Sequence, residues 1–356
     1  MFKSHLWKLL LSFLISIAGG GIFLYLHFPL PWILGPVAFL LIYKVTTKKA
    51  TAASLKLWNL SFGFLGIQIG NTFTADTFSS VAPYLIPYSI FTFLLIAISL
   101  LNAYVISRYI EIDAKTSMLG SVPGGLSAML ALSDSLRGNT VLVTILHTIR
   151  LVTVLFAIPF MATHFFASDK TQGAASASSH VQGEWYTILF YIAAFLLGFL
   201  LQKRIPASLV IVPMLITGGI QSLGMPLFEL PGVIFIFAQL SLGVYLGNSV
   251  SITDVIRAGR YCFYYFGLAL FVILVSFGLG YLLTQWTGME LSTAILSIAP
   301  GGLIEMALTA DAAGGDPSIV SSLQMIRLLM IVLLLPFLLQ WLLPKLEGKE
   351  TSASRS

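Results

Sequence analysis

Two arginines stand where arginine is costly. Arg150 in IRLVTVLFAIPF and Arg327 in IRLLMIVLLLPF each lie about ten residues inside an apolar stretch, 177 residues apart. A guanidinium at the centre of a bilayer costs on the order of 2.5–3.5 kcal/mol even on lenient insertion scales, so keeping two implies partners. An arginine fork suits an anionic group held bidentately. Three partners are open from the residues alone: an anionic group of a substrate, Glu305, or backbone carbonyls freed by nearby helix breaks. Glu305 carries a second charge into an apolar run. It reads equally as the carrier of a coupling proton or cation, or as the ion-pair partner of a buried arginine. His147 lies one turn before Arg150, and Gln324 holds the same place before Arg327. His147 is a candidate proton relay or a satisfied buried histidine.

Pro123, Gly124 and Gly125 in SVPGGLSAML, and Pro300, Gly301 and Gly302 in IAPGGLIEMA, interrupt two further apolar segments. Proline removes a backbone donor and glycine disfavours helix. In hydrocarbon an unpaired backbone group costs several kcal/mol, so irregular backbone survives there only inside protein or along a wet cavity. Helix-forming sequence resumes after each glycine pair, which places a helix N-terminus near mid-membrane. Such ends attract anions, and transporters with inverted repeats build substrate sites from them. A tight turn that lets helices pack closely is the plainer alternative. The proposed substrate-binding set is therefore both Pro-Gly-Gly breaks with Arg150, Arg327 and Glu305. His147, Gln324, Asn71 and Asn248 are candidates for a polar or coupling path.

These residues fall into one register. At an offset of 177 residues, LGIQIGNTFT (65–74) lies on LGVYLGNSVS (242–251), the two Pro-Gly-Gly elements coincide, and Arg150 meets Arg327. Shared leucines would mean little in so apolar a chain, but matched Pro, Gly, Asn and Arg mark a tandem duplication. Residues 9–166 form the first membrane repeat and 186–343 the second. A polar linker, 167–185, joins them, and 344–356 reads as a disordered tail. Each repeat holds six apolar segments, the fifth carrying the break. Gly66, Gly70, Gly243 and Gly247 form small-xxx-small faces suited to close helix packing.

Loop charges arbitrate topology, since Lys and Arg accumulate on the cytoplasmic side. With the N-terminus inside, Lys44, Lys48, Lys49, Lys56, Arg108 and Lys115 fall inside. If each broken segment dips in and returns, Lys203, Arg204, Arg257, Arg260 and the C-terminal tail join them; if both span, the first four fall outside. The expected fold is an all-α polytopic membrane protein of two tandem, inverted repeats. It has about 10 transmembrane helices and two broken or re-entrant segments, with both termini cytoplasmic.

Composition excludes most other classes. Of 356 residues 57% are hydrophobic and only 9% charged, with a mean hydropathy of +0.94, against roughly a quarter charged in soluble domains. The net charge of +5 is scattered over short loops, which argues against a nucleic-acid partner. Cys262, the single cysteine, excludes an intrachain disulfide and a thiolate metal cluster. No metal and no cofactor is expected. The lipid bilayer and a small-molecule substrate are the implied partners, and self-association is left open.

The paired PGGL-x-x-M elements and the buried Ile-Arg-Leu resemble the membrane AbrB duplication family, whose members are also described as putative ammonia monooxygenases or AbrB family transcriptional regulators. The resemblance covers nearly the whole chain. It implies a multi-pass protein of the bacterial cytoplasmic membrane without an established activity, some members being linked to control of gene expression. Nothing in the sequence resembles the small soluble DNA-binding regulator that shares the name. Oxidation at copper or di-iron needs several converging His or carboxylate ligands. Of His5, His27, His147, His164 and His180 only His147 lies deep in an apolar segment, so an enzyme is not expected. A transporter or exporter of a small anionic or zwitterionic metabolite is the leading expectation. A membrane sensor acting on gene expression through a partner comes next, and a monooxygenase last.

Overall fold

The computed structural model describes residues 2–110, 112–122, 129, 133, 134, 138–166 and 183–353. The first break, Pro123, Gly124 and Gly125, lies outside the described residues, as does most of the expected linker. The described chain is helical throughout, with no strand among its residues. The first half contains α1 (Phe2–Tyr25), α2 (Pro31–Thr47), α3 (Leu55–Gly70), α4 (Thr77–Val81), α5 (Leu85–Ile110), α6 (Ala114–Ser121) and α7 (Thr140–Phe165). The second contains α8 (Ile188–Leu200), α9 (Ser208–Ser222), α10 (Gly232–Ser249), α11 (Ile252–Ala258), α12 (Tyr261–Thr287), α13 (Leu291–Ile298), α14 (Leu303–Ala312) and α15 (Pro317–Ala353).

Among the described residues seven stretches are long and apolar enough to cross a membrane, those at 6–25, 77–110, 140–165, 185–203, 232–249, 261–287 and 317–334, while α2 and α9 are shorter apolar helices. This is the architecture of a polytopic membrane protein, since about 20 apolar residues in helix span a core of about 30 Å. The last helix continues past Pro344 to Ala353, where the sequence reads as a tail. Residues 345–350, KLEGKE, are mostly good helix formers.

Helix starts are set by local chemistry. Ser54 Oγ accepts the Leu57 N–H, Asn139 Oδ1 accepts that of Leu142, and Asp316 Oδ1 accepts those of Ser318 and Ile319. Each satisfies a donor that the first turn leaves without a partner. The starts of α2 and α9, α3 and α10, α6 and α13, and α7 and α15 are each separated by the 177-residue offset.

The halves interlock by exchanging equivalent contacts. A methyl on Gly66 of α3 would stand 2.5 Å from the Val210 carbonyl oxygen of α9; one on Gly243 of α10 would stand 2.7 Å from that of Ile33 of α2. Gly66 corresponds to Gly243 and Ile33 to Val210, so the same crossing occurs twice with the partners swapped, as around a two-fold axis. Glycine is needed at both because the backbones touch.

Hydrogen bonds between loops sort the helix ends into two groups. Lys44 Nζ donates to the carbonyls of Gly247, Asn248 and Val250, and Thr51 Oγ1 to Asn248 Oδ1. The α2–α3 and α10–α11 loops therefore share one end. At the other, Ser222 Oγ donates to the Thr74 carbonyl, and the Thr77 and Ser318 hydroxyls stand 3.4 Å apart.

Candidate functional site

The second break is a hairpin. The Asp316 N–H donates to Thr293 Oγ1 at 2.9 Å, tying the end of the broken segment to its beginning. A helix of α13's length rises about 12 Å, so Pro300 to Gly302 form a tip about that far from the ends. The first half has the equivalent bond, Asn139 N–H to Thr116 Oγ1 at 3.0 Å. The second segment returns to where it started.

The tip frees carbonyls, and the second half supplies donors for them. Gln324 Nε2 donates to the carbonyls of Leu296 (2.8 Å), Ser297 (3.0 Å) and Ala299 (3.2 Å). Arg327 donates through Nη1 to Ala299 and through Nη2 to Gly301. The carbonyls past the end of α13 have no intrahelical donor, and these two side chains, 1% and 5% exposed, replace it. Of the three partners open to an arginine, Arg327 has taken the freed carbonyls.

Arg150 differs. It is 8% exposed, yet its Nε and Nη1 have no hydrogen-bond partner among the described residues. Its Nη2 lies 3.4 Å from both ring nitrogens of His147, so the guanidinium rests against the ring without a well-directed bond. A neutral His147 presents one N–H where Gln324 presents two. Arg150 thus keeps two buried donors without partners among the described residues, and it lines a cavity of about 300 Å³. Arg327, Gln324, His147, Glu305 and the Pro300–Gly302 tip line the same cavity, so residues of both halves converge there. The apolar wall comes from Phe62, Leu151, Val154, Leu155, Val210 and Ile331, which sequence reasoning did not single out. No signal separates them from other apolar residues of the chain.

Glu305 is not paired with either arginine. Its carboxyl folds back over Gly302, where an added methyl would collide with Oε2, and accepts its own backbone N–H. Gly302 is the N-cap of α14 and offers no side-chain cap. The first intrahelical bond recorded there runs from the Met306 N–H to the Gly302 carbonyl. The amides of Leu303, Ile304 and Glu305 precede it and have no intrahelical partner, and all three residues line the cavity.

Asn71 and Asn248 do not line this cavity. Asn71 closes α3, its N–H on the Ile67 carbonyl. Asn248 Nδ2 donates to the carbonyls of Val244 and Ala52, which fastens a loop. Among the described residues no three His, Cys, Asp or Glu side chains are grouped to hold a metal.

The profile described as "Transition state regulatory protein AbrB" matches residues 32–343, most of the sequence. The chain belongs to the AbrB family. This AbrB-family chain is 27% identical over 346 residues to the "Putative regulator AbrB" of Escherichia coli (strain K12), covering 92% of the chain and 93% of that relative. It is 26% identical over 293 residues to the "Uncharacterized protein YhjN" of Bacillus subtilis (strain 168), covering 76% of the chain and 75% of the relative. Both matches extend across the membrane helices, so the family name attaches here to a membrane protein.

Proposed function

We propose that this protein is a secondary transporter or exporter of a small carboxylate-bearing, anionic or zwitterionic metabolite, and not an enzyme. The carrying observation is Arg150: a buried guanidinium with two unused donors, lining a cavity shared by both halves and by a helix N-terminus. Its fork matches a carboxylate, and the mainly aliphatic and aromatic wall suits a short apolar body. A cavity of about 300 Å³ is at the small end of ligand sites. The substrate-binding set is then Arg150 with Gly302, Leu303 and Glu305, while Arg327, Gln324 and the Pro300–Gly301 backbone hold the tip in place.

Inverted repeats support the same reading. If the first broken segment returns as the second does, and α2, α3 and α9 also span, five crossings remain in each half, an odd number that inverts the second repeat. The exchanged glycine contacts and the bonded α2–α3 and α10–α11 loops agree with this arrangement. Lys44 in the last turn of α2, Lys48 and Lys49 in the α2–α3 loop and Arg260 just past α11 lie at this end, which favours that face as cytoplasmic in a bacterial inner membrane. In a Cys262→Ser background, cysteines at the exposed positions Lys49 and Lys203 should react with a membrane-impermeant maleimide only from the cytoplasmic side. Cysteines at Asp76 and Glu229 should react only from outside. Labelling of Lys203→Cys from outside would reject the inversion.

The function itself is tested by flux. Proteoliposomes of the full chain should show saturable uptake of radiolabelled small carboxylates, reduced to background by Arg150→Gln. Binding without flux for every carboxylate tried would reject transport. It would favour the second reading, a ligand-binding regulatory protein, which rests on the printed name of the Escherichia coli relative.

A further inference from the structure

Glu305 is the negative group already present at a site otherwise built for an anion. Its carboxyl lies over Gly302 at the N-terminus of α14, accepts its own N–H and is bonded to neither arginine. A helix N-terminus carries about half a positive charge, and Arg150 adds a whole one with two unused donors. Arg150, the start of α14 and Glu305 line one cavity, so a substrate carboxylate drawn to that charge and those amides enters a site where Glu305 already competes for them. Two carboxylates in one confined site do not both stay charged.

We infer that Glu305 is a built-in competing anion: an incoming carboxylate displaces it from the α14 N-terminus, and Glu305 then takes up one proton from water. Binding of the anion and of the proton is thereby coupled, with no net charge added to the site by a monocarboxylate. The inference rests on the anion-site reading given above. The charged and titratable groups around Glu305 are few. On α7 they are His147 and Arg150, and on α15 Arg327. There are none on α13, and on α3 only Lys56, exposed at the far start of that helix. Arg327 is committed to carbonyls, and among the described residues His147 is the one titratable side chain besides Glu305 and the two arginines that lines the cavity.

The test uses purified full-length protein in nanodiscs and benzoate as the probe, a carboxylate with a compact apolar body. Calorimetry in buffers of different ionisation enthalpy counts the protons exchanged. One proton should enter per benzoate bound, and affinity should fall about tenfold per pH unit where that coupling operates. Glu305→Gln should bind benzoate at least about tenfold more tightly at the alkaline end of the range, with no proton uptake, since one full charge no longer competes. Glu305→Ala should behave likewise and covers the case in which the amide disturbs the turn. His147→Gln should keep the proton uptake of the wild type.

Weaker binding in the Glu305 variants, or proton uptake unchanged in them, would overturn the competition and leave the anion site standing. Loss of proton uptake in His147→Gln alone would also overturn it, by assigning the proton to the imidazole. Absence of benzoate binding in both the wild type and Glu305→Gln would overturn the anion site, and the competition with it.

Discussion

Arg150→Gln is expected to abolish benzoate binding and, without ligand, to make the protein more stable than the wild type. The two effects share one cause. Arg150 is buried with Nε and Nη1 lacking partners among the described residues, so the folded, empty protein carries the desolvation of a charge without the bonds that usually offset it. Glutamine keeps much of the volume and removes that charge. Two charge-assisted hydrogen bonds of roughly 1.5–3 kcal/mol each would disappear from the complex, a loss of affinity of about a hundredfold or more. Benzoate titration by calorimetry measures the first effect, and thermal unfolding in detergent the second. A variant that binds normally sinks the anion site. A variant that binds nothing but melts well below the wild type points to a structural arginine instead. Opposed signs for stability and function are expected where a site keeps an unsatisfied group for its ligand.

The sequence made the helices legible because hydrophobic runs, caps and breaks are local signals. Asn139 and Asp316 precede apolar runs and cap them, and Pro300 with its two glycines ends α13 where expected. The convergence of Arg150, Arg327, Glu305 and the second break was legible for a different reason: groups that costly in an apolar chain need one another or a ligand. The division of labour between the arginines was not. Both sit in the same Ile-Arg-Leu context, and each half alone would give them one role. The difference lies one turn earlier, where Gln324 can share the tip carbonyls with Arg327 and His147 offers fewer donors. That substitution was a visible signal, but its consequence depends on the hairpin bringing Ala299 and Gly301 to α15.

Lys44 illustrates the same limit. As a loop charge it contributes to the topology argument, yet its ammonium lies on three carbonyls at the C-terminus of α10, a long-range cap of the kind a helix dipole favours. Asn248, considered for a polar path, is occupied in the same knot through Thr51 and Ala52. Loop residues that appear free in sequence are claimed by contacts about 200 positions away, and no local pattern encodes them. Glu305 was ambiguous for an opposite reason. Its partner is the start of its own helix, a local possibility that ion-pair reasoning passes over.

Arg327→Gln should have the largest effect on stability of any single change at the site, and in the direction opposite to Arg150→Gln. Arg327 holds the Ala299 and Gly301 carbonyls, one on each side of Pro300, in a buried position. Glutamine is too short to reach both; Ala299 keeps the Gln324 amide and the Gly301 N–H, but the Gly301 carbonyl loses its side-chain donor, which costs about 1–3 kcal/mol. Gln324 cannot compensate, since its amide is already shared among Leu296, Ser297 and Ala299. The tip would lose its fixed shape, and the α14 N-terminus with it, so anion binding should fall as a consequence of lost order. Thermal unfolding should shift down by many degrees, and protease sensitivity should increase between α13 and α14. Arg327→Lys should recover part of the loss, because an ammonium can satisfy one carbonyl but lacks the planar fork that spans two. A stable Arg327→Gln protein with intact hairpin protection would show that the carbonyl contacts do not support the tip. It would return Arg327 to the role of a second substrate fork beside Arg150.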